Sequence, residues 1–145
     1  MKITVFLVCF ITFILTSCTE MKDNVIIEDF KNGKWEKSVL LTLENSDTTS
    51  YRDIFFLMRY DDTFKYSMLN FSFSVISPCG TTFCDTLNIE IPETNDTYIT
   101  VLNLEQKIIT NAKLDSCGIY YFNITPLVEL PLEGVTGVGL ALGNL

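Results

Sequence analysis

The chain has 145 residues, ten Lys plus Arg against eighteen Asp plus Glu, a formal net charge of −8 and no histidine. The acidic balance argues against nucleic acid, whose affinity for proteins comes largely from Lys and Arg neutralising phosphates, and against electrostatic attachment to an anionic membrane surface. The missing histidine excludes catalytic triads and metal sites that need imidazole.

The first element is an apolar run from Ile3 to Leu15, interrupted only by Thr4 and Thr12 and preceded by Lys2. A membrane-crossing helix needs about twenty apolar residues, so this run suits the core of a signal peptide instead. It closes on Leu15-Thr16-Ser17-Cys18, a branched residue, two small residues and a cysteine, and so resembles a bacterial lipoprotein signal. Residues 1–17 are expected to be removed and Cys18 to carry the lipid, with a diacylglyceryl group on its sulfur and an acyl group on the new amine. Two or three acyl chains anchor stably where one does not. Cleavage leaves 128 residues (145 less 17), the size of one domain, and the loss of Lys2 takes the net charge from −8 to −9.

Residues 18–32 are expected to form a lipid-anchored tether: Thr19 to Asn24 is polar and charged, although Val25-Ile26-Ile27 reads as extended. The folded domain is expected over 33–145. It opens with an Asn32-Gly33-Lys34 turn and with Trp35, the single tryptophan, as a core anchor.

From there the apolar residues recur with a period of two, the signature of half-buried strands. Val39 to Leu43 is a core strand ended by Glu44-Asn45-Ser46-Asp47, and Asp53 to Tyr60 is apolar enough to be buried on both faces. Leu69, Phe71, Phe73 and Val75 alternate with Asn70, Ser72 and Ser74. Leu87, Ile89 and Ile91 alternate with Thr86, Asn88 and Glu90 until Pro92 stops the strand. Further strands are expected at Tyr98–Leu104, Ile119–Thr125 and Val138–Leu142. For residues 104–115, short helix, long loop and strand all stay open. Pro126 and Pro131 bracket a crossover or edge segment, and the small residues of Gly137-Val138-Gly139-Leu140 suit close approach of another backbone. The expected fold is all-β, an antiparallel two-sheet β-sandwich of about seven to eight strands behind the lipoprotein signal peptide.

Cys79, Cys84 and Cys117 remain once Cys9 leaves with the signal and Cys18 takes the lipid. In an oxidising envelope disulfides persist, and Cys79 with Cys84 is the candidate pair to staple a hairpin tip. Cys117 is then either free or a competitor for one of the two. A metal site built from the three thiols is disfavoured because thiolates outside the cytosol oxidise, and no cofactor or metal is expected. Arg59, at the end of the apolar strand, reads as a partner of Asp61, Asp62 or another carboxylate, with recognition at a binding edge as the sharper alternative. Asp61-Asp62 with Asp47 or Asp53 lacks the regular spacing of a calcium loop and reads as a solvated turn.

Several landmarks in order resemble the gliding-motility lipoprotein H family (GldH) of the Bacteroidetes. They are the lipid-cysteine signal, Trp35 just after the glycine turn, Phe56-Leu57-Met58-Arg59-Tyr60-Asp61 followed by Phe64-Lys65-Tyr66 and Asn70, and Asp85-Thr86. Toward the end come Cys117-Gly118-Ile119-Tyr120-Tyr121-Phe122-Asn123-Ile124, then Leu132-Glu133-Gly134-Val135 and Gly137-Val138-Gly139-Leu140. Residues 92–116 depart from it in containing no glycine. The resemblance implies a non-enzymatic accessory subunit of a gliding or linked secretion machinery, with protein partners in an envelope complex and a lipid anchor in the outer membrane. Asp47-Thr48-Thr49 and Asp85-Thr86-Leu87 resemble the O-glycosylation acceptor pattern of Bacteroidetes envelope proteins, which marks Thr48 and Thr86 as candidates, a turn and a strand start being the plain alternatives. The alternative function is a surface lipoprotein that grips glycan or serves as an adhesin through Phe71, Phe73, Tyr98, Tyr120 and Tyr121. It requires those rings to be exposed.

Overall fold

The computed structural model describes residues 22–93 and 101–144. The signal peptide, Cys18 and Tyr98 lie outside the described residues. Ten strands follow one another without a helix among the described residues. They are β1 (Lys22–Asp29), β2 (Lys34–Trp35), β3 (Val39–Asn45), β4 (Tyr51–Tyr60), β5 (Met68–Ile76), β6 (Thr82–Glu90), β7 (Leu102–Lys113), β8 (Gly118–Pro126), β9 (Leu132–Glu133) and β10 (Val135–Asn144).

Two four-stranded antiparallel sheets carry the fold, one in the order β1-β10-β4-β7 and the other β3-β8-β5-β6, while β2 and β9 form a small ribbon. Eight long strands in two sheets are the expected sandwich. Two stretches differ from their sequence reading. Residues 22–29, inside the span read as tether, pair along their length with β10, so Val25 to Ile27 belongs to the sheet. Of residues 104–115, for which helix, loop and strand stayed open, 104–113 belong to β7, the longest strand among the described residues, which pairs with β4 across two irregularities in register.

Alternation decides which side chains meet between the sheets. On β3 the residues Val39, Leu41 and Leu43 are buried while Leu40, Thr42 and Glu44 are exposed. On β5 Leu69, Phe71 and Phe73 are fully buried. Phe56 of the first sheet stacks on Phe71 of the second with ring centroids 4.5 Å apart, and Phe73 stacks on Phe122 at 6.1 Å. Trp35 is fully buried at one end, stacked on Phe30, and its indole N–H donates to the Lys37 carbonyl at 2.7 Å. β4 is apolar on both faces for a local reason: Phe55, on its outer side, packs against Gly143 and lies beneath the Lys107 ammonium. Gly139 is required where β1 pairs with β10, since a Cβ there would clash with the Ile26 carbonyl. Gly134, at a φ of +81°, lets the ribbon fold back so that its N–H meets the Gly33 carbonyl and its own carbonyl accepts from Asp61.

Removing Phe56 opens a cavity at the centre of the inter-sheet contact. Phe56→Ala is expected to cost about 3–5 kcal/mol of stability, whereas Leu40→Ala, at a 59% exposed position on the outer face, should change it by no more than about 0.5 kcal/mol. Urea unfolding of the two variants measures both.

Candidate functional site

The sandwich closes unequally along its two flanks. Edge strands β1 and β3 pack against each other on one side. On the other side, between the edges β6 and β7, a groove of about 290 Å³ runs into the core. Its floor is apolar, formed by Ile54, Val75, Ile109, Ala112, Leu114 and Phe122, and Ser77, Thr81, Lys113 and Asp115 supply polar groups. Phe83 stands at the lip and is 50% exposed. The strand that carries it, β6, buries only Ile89 among its nine residues. An edge strand of this kind presents unpaired backbone groups to any strand that can align with it.

The β3–β4, β5–β6 and β7–β8 connections converge at the end of this groove. Asn45, buried at the end of β3, donates from Nδ2 to the carbonyls of Leu114 (3.1 Å) and Ser116 (3.0 Å), and Ser116 donates its N–H to the Tyr120 hydroxyl at 3.1 Å. Cys79, in the turn closed by the Ser77 N–H to Thr81 carbonyl bond, has its sulfur 3.0 Å from Ser77 Oγ, 3.4 Å from Thr81 Oγ1 and 3.8 Å from Ser116 Oγ. The Ser77 hydroxyl first, then the Thr81 hydroxyl and N–H and the Ser116 hydroxyl, hold its pKa down to about 6, so the thiolate prevails at neutral pH.

Cys79 and Cys84 are both free and exposed in this structure, as is Cys117. The register sets the first two apart. Cys84 pairs with Ser74, two residues inside the last ladder pair Ile76↔Thr82, and shares the outer face with its partner, while Cys79 lies beyond that pair and turns toward Ser116. Two residues of strand alone span about 7 Å, the full Cα reach of a disulfide. The sequence marked both cysteines but gave no sign of the register.

A second polar cluster locks β7 to β4. Asp53 is buried, pairs with the Lys107 ammonium and accepts the N–H of Asn111 at 3.0 Å. Asn111 holds the left-handed conformation at a φ of +56°, beside the register irregularities opposite Arg52, Ile54 and Phe55. The charged Lys107 first, and then the Asn111 N–H, keep the Asp53 carboxyl below its usual range. Sequence reading named Asp53 only as a weak calcium candidate; an Asn inside an otherwise extended run was the available signal.

The remaining candidates are dispersed. Arg59 pairs with Asp29 at 2.8 Å, both side chains well exposed, so its carboxylate partner comes from β1 and not from the turn that follows it. Asp61 accepts from the Thr63 N–H at 2.9 Å and shapes that turn. Asp47 accepts from the Thr49 and Ser50 N–H groups and pairs with Arg52; the Ser50 hydroxyl first, then the Thr49 and Ser50 N–H groups and the Thr49 hydroxyl, hold its carboxyl well below the ordinary range. Among the described residues no three Cys, Asp or Glu side chains group as metal ligands. Thr48 is half-buried beside Asp47, and Thr86 is exposed on β6 with its N–H held by Asp85 at 2.8 Å. Of the described aromatics in the candidate row, Phe71, Phe73 and Tyr120 are buried in the core and only Tyr121, 40% exposed, faces outward.

What remains is an antiparallel sandwich with an open seam and no assembled cluster of catalytic groups among its described residues. The chain belongs to the GldH lipoprotein family, which matches residues 26–142. It is 24% identical over 155 residues to the gliding motility lipoprotein GldH homolog of Christiangramia forsetii, covering 96% of this chain and 94% of that protein. No solved structure matches. Membership makes the chain a membrane-associated lipoprotein of the cell envelope linked to gliding motility.

The Asp53 lock has a pH signature. A carboxyl with a depressed folded pKa contributes stability that is fully present above its unfolded value near 4 and is lost as pH falls through the folded value. The thermal midpoint should therefore drop below about pH 4, and Asp53→Asn should lower it at neutral pH while flattening part of the acid limb. Parallel acid slopes in the two proteins would remove Asp53 from the account.

Proposed function

We propose that this lipoprotein is a non-enzymatic accessory subunit of the gliding machinery or its linked secretion apparatus. Lipid on Cys18 holds it at the outer membrane, and it acts by engaging a protein partner through the β6–β7 seam. The family match over residues 26–142 carries the reading of the machine. The seam supplies the surface: an apolar groove flanked by two strand edges, of which β6 is almost wholly exposed. An extended partner segment can hydrogen-bond to such an edge while alternate side chains enter the groove. The chain's acidity supports a lipid anchor, since it gives no electrostatic hold on anionic lipid. The glycan-binding alternative retains one exposed ring, Tyr121, of its described aromatics; a single ring is little for a stacking platform.

A photo-reactive residue in place of Phe83, at the groove lip, should yield a covalent adduct with an envelope protein in living cells. The same residue in place of Leu40, on the outer face of the second sheet, should not. In Cys18→Ala, incorporation of a labelled fatty acid and the Phe83-site adduct should both disappear. Equal adducts from both positions, or an undiminished adduct in Cys18→Ala, would contradict the assignment of seam and anchor respectively.

A further inference from the structure

The seam between β6 and β7 has a second end. β6 closes at Glu90 and β7 opens at Leu102, and there the β4–β5 connection joins them in lining a pocket of about 300 Å³. We propose that this pocket receives the guanidinium of an arginine on a partner segment. The inference rests on the seam as the docking edge and names the chemistry that holds its far end. The pocket has an aromatic wall. Tyr60, the last residue of β4, turns into the core; its ring meets Phe64 edge-on at 5.6 Å, and Phe64 meets Tyr66 at 5.6 Å. The wall is held in place by main-chain bonds. The Asp61 N–H donates to the Gly134 carbonyl at 2.8 Å, Phe64 N–H to the Asp61 carbonyl at 3.2 Å, and Ile91 N–H to the Ser67 carbonyl at 2.8 Å. A site fixed in advance loses little on binding.

Polar groups in the pocket are left over. Tyr60 is only 5% exposed, and its hydroxyl makes no hydrogen bond among the described residues. No side-chain oxygen there is sealed from solvent without a partner, so the hydroxyl opens into the pocket that Tyr60 lines. Burial pushes its pKa up, which keeps it a neutral phenol able to accept an N–H. Asp61, Asp62 and Glu93 also line the pocket, against the single ammonium of Lys65. Asp61 is engaged by Thr63, and Lys65 donates to the Asp62 main-chain carbonyl at 2.9 Å. The carboxylates of Asp62 and Glu93 have no partner among the described residues. Nor do acids there group as ligands for a metal ion. A guanidinium suits this lining: its plane stacks on aromatic rings while its N–H groups reach carboxylate and hydroxyl oxygens. The net charge of −8 favours encounter with a basic partner. From Phe83 to Ile91 the chain advances about 26 Å at roughly 3.3 Å per residue. A strand laid on the β6 edge therefore passes from the groove lip to the pocket in about eight residues.

The test is a titration of the mature lipoprotein in detergent, followed by nuclear magnetic resonance of isotope-labelled tyrosine rings. Tyr60→Phe and Tyr66→Phe assign the two ring signals. Acetyl-arginine amide should shift both saturably, with a dissociation constant on the order of millimolar for so small a ligand. Acetyl-citrulline amide, its uncharged isostere, should shift neither. Asp62→Asn combined with Glu93→Gln, both at exposed positions, should weaken arginine binding roughly tenfold and leave the thermal midpoint unchanged. Equal shifts from citrulline, no saturable shift from arginine, or an unaltered affinity in the double variant would each overturn the proposal. So would binding of chitobiose in place of arginine, which would make the pocket a glycan site. A failed titration beside an intact Phe83-site adduct in cells would strike this inference and leave the seam reading standing. Saturable arginine binding without that adduct would uphold the pocket and strike the seam.

Discussion

The whole structure depends on the interlock between β4 of one sheet and β5 and β8 of the other. Phe56, Phe71, Phe73 and Phe122 are each fully buried and stack across or along that contact. Aromatic side chains bury the largest apolar areas available to a chain this size, and here they sit at the middle of both sheets. Everything outside them is arranged to protect the contact. β10 brings Val138, Leu140 and Leu142 inward, β3 brings Val39, Leu41 and Leu43, and Trp35 closes one end.

That interlock leaves the flanks to be settled separately, and they are settled differently. β1 packs on β3, and glycines in β10 let β1 come close enough to do so. On the opposite flank the Asp53–Lys107–Asn111 cluster sits at the register shifts of β7, while β6 carries few inward apolar residues beyond Leu87 and Ile89. The seam is therefore a consequence of sequence choices on two edge strands and not of an incomplete core. A groove of this origin is stable without an occupant and still presents apolar surface and a strand edge to one.

The sheets were legible in the sequence because alternation is a local signal. The strands around Leu41, Phe71, Ile89, Phe122 and Leu140 follow from the period of two alone. β1 was underestimated because its polar start hides a strand whose partner, β10, lies more than a hundred residues away. β7 was ambiguous because Asn111 and the register shifts break its alternation. The candidate site was less visible still. Cys79 and Cys84 looked like neighbours from their spacing, but pairing depends on register and face. The hydroxyls around Cys79 come from two connections that only the fold brings together. The GldH resemblance worked at a different level, through the order of short motifs, and it reached the family without revealing the seam.

On the proposed function, a domain with a closed flank and an open one has a defined way to act: the lipid would fix its location and the open flank would take a partner. Hydrogen exchange measured on the mature lipoprotein, once alone in detergent and once in native envelopes, tests this most directly. Amides of β5, β8, β4 and β10 should exchange slowly in both states, while those of β6 and the groove side of β7 should be fast alone and protected in the envelope. Equal, rapid exchange of β6 and β7 in both states would contradict a partner seated at the seam.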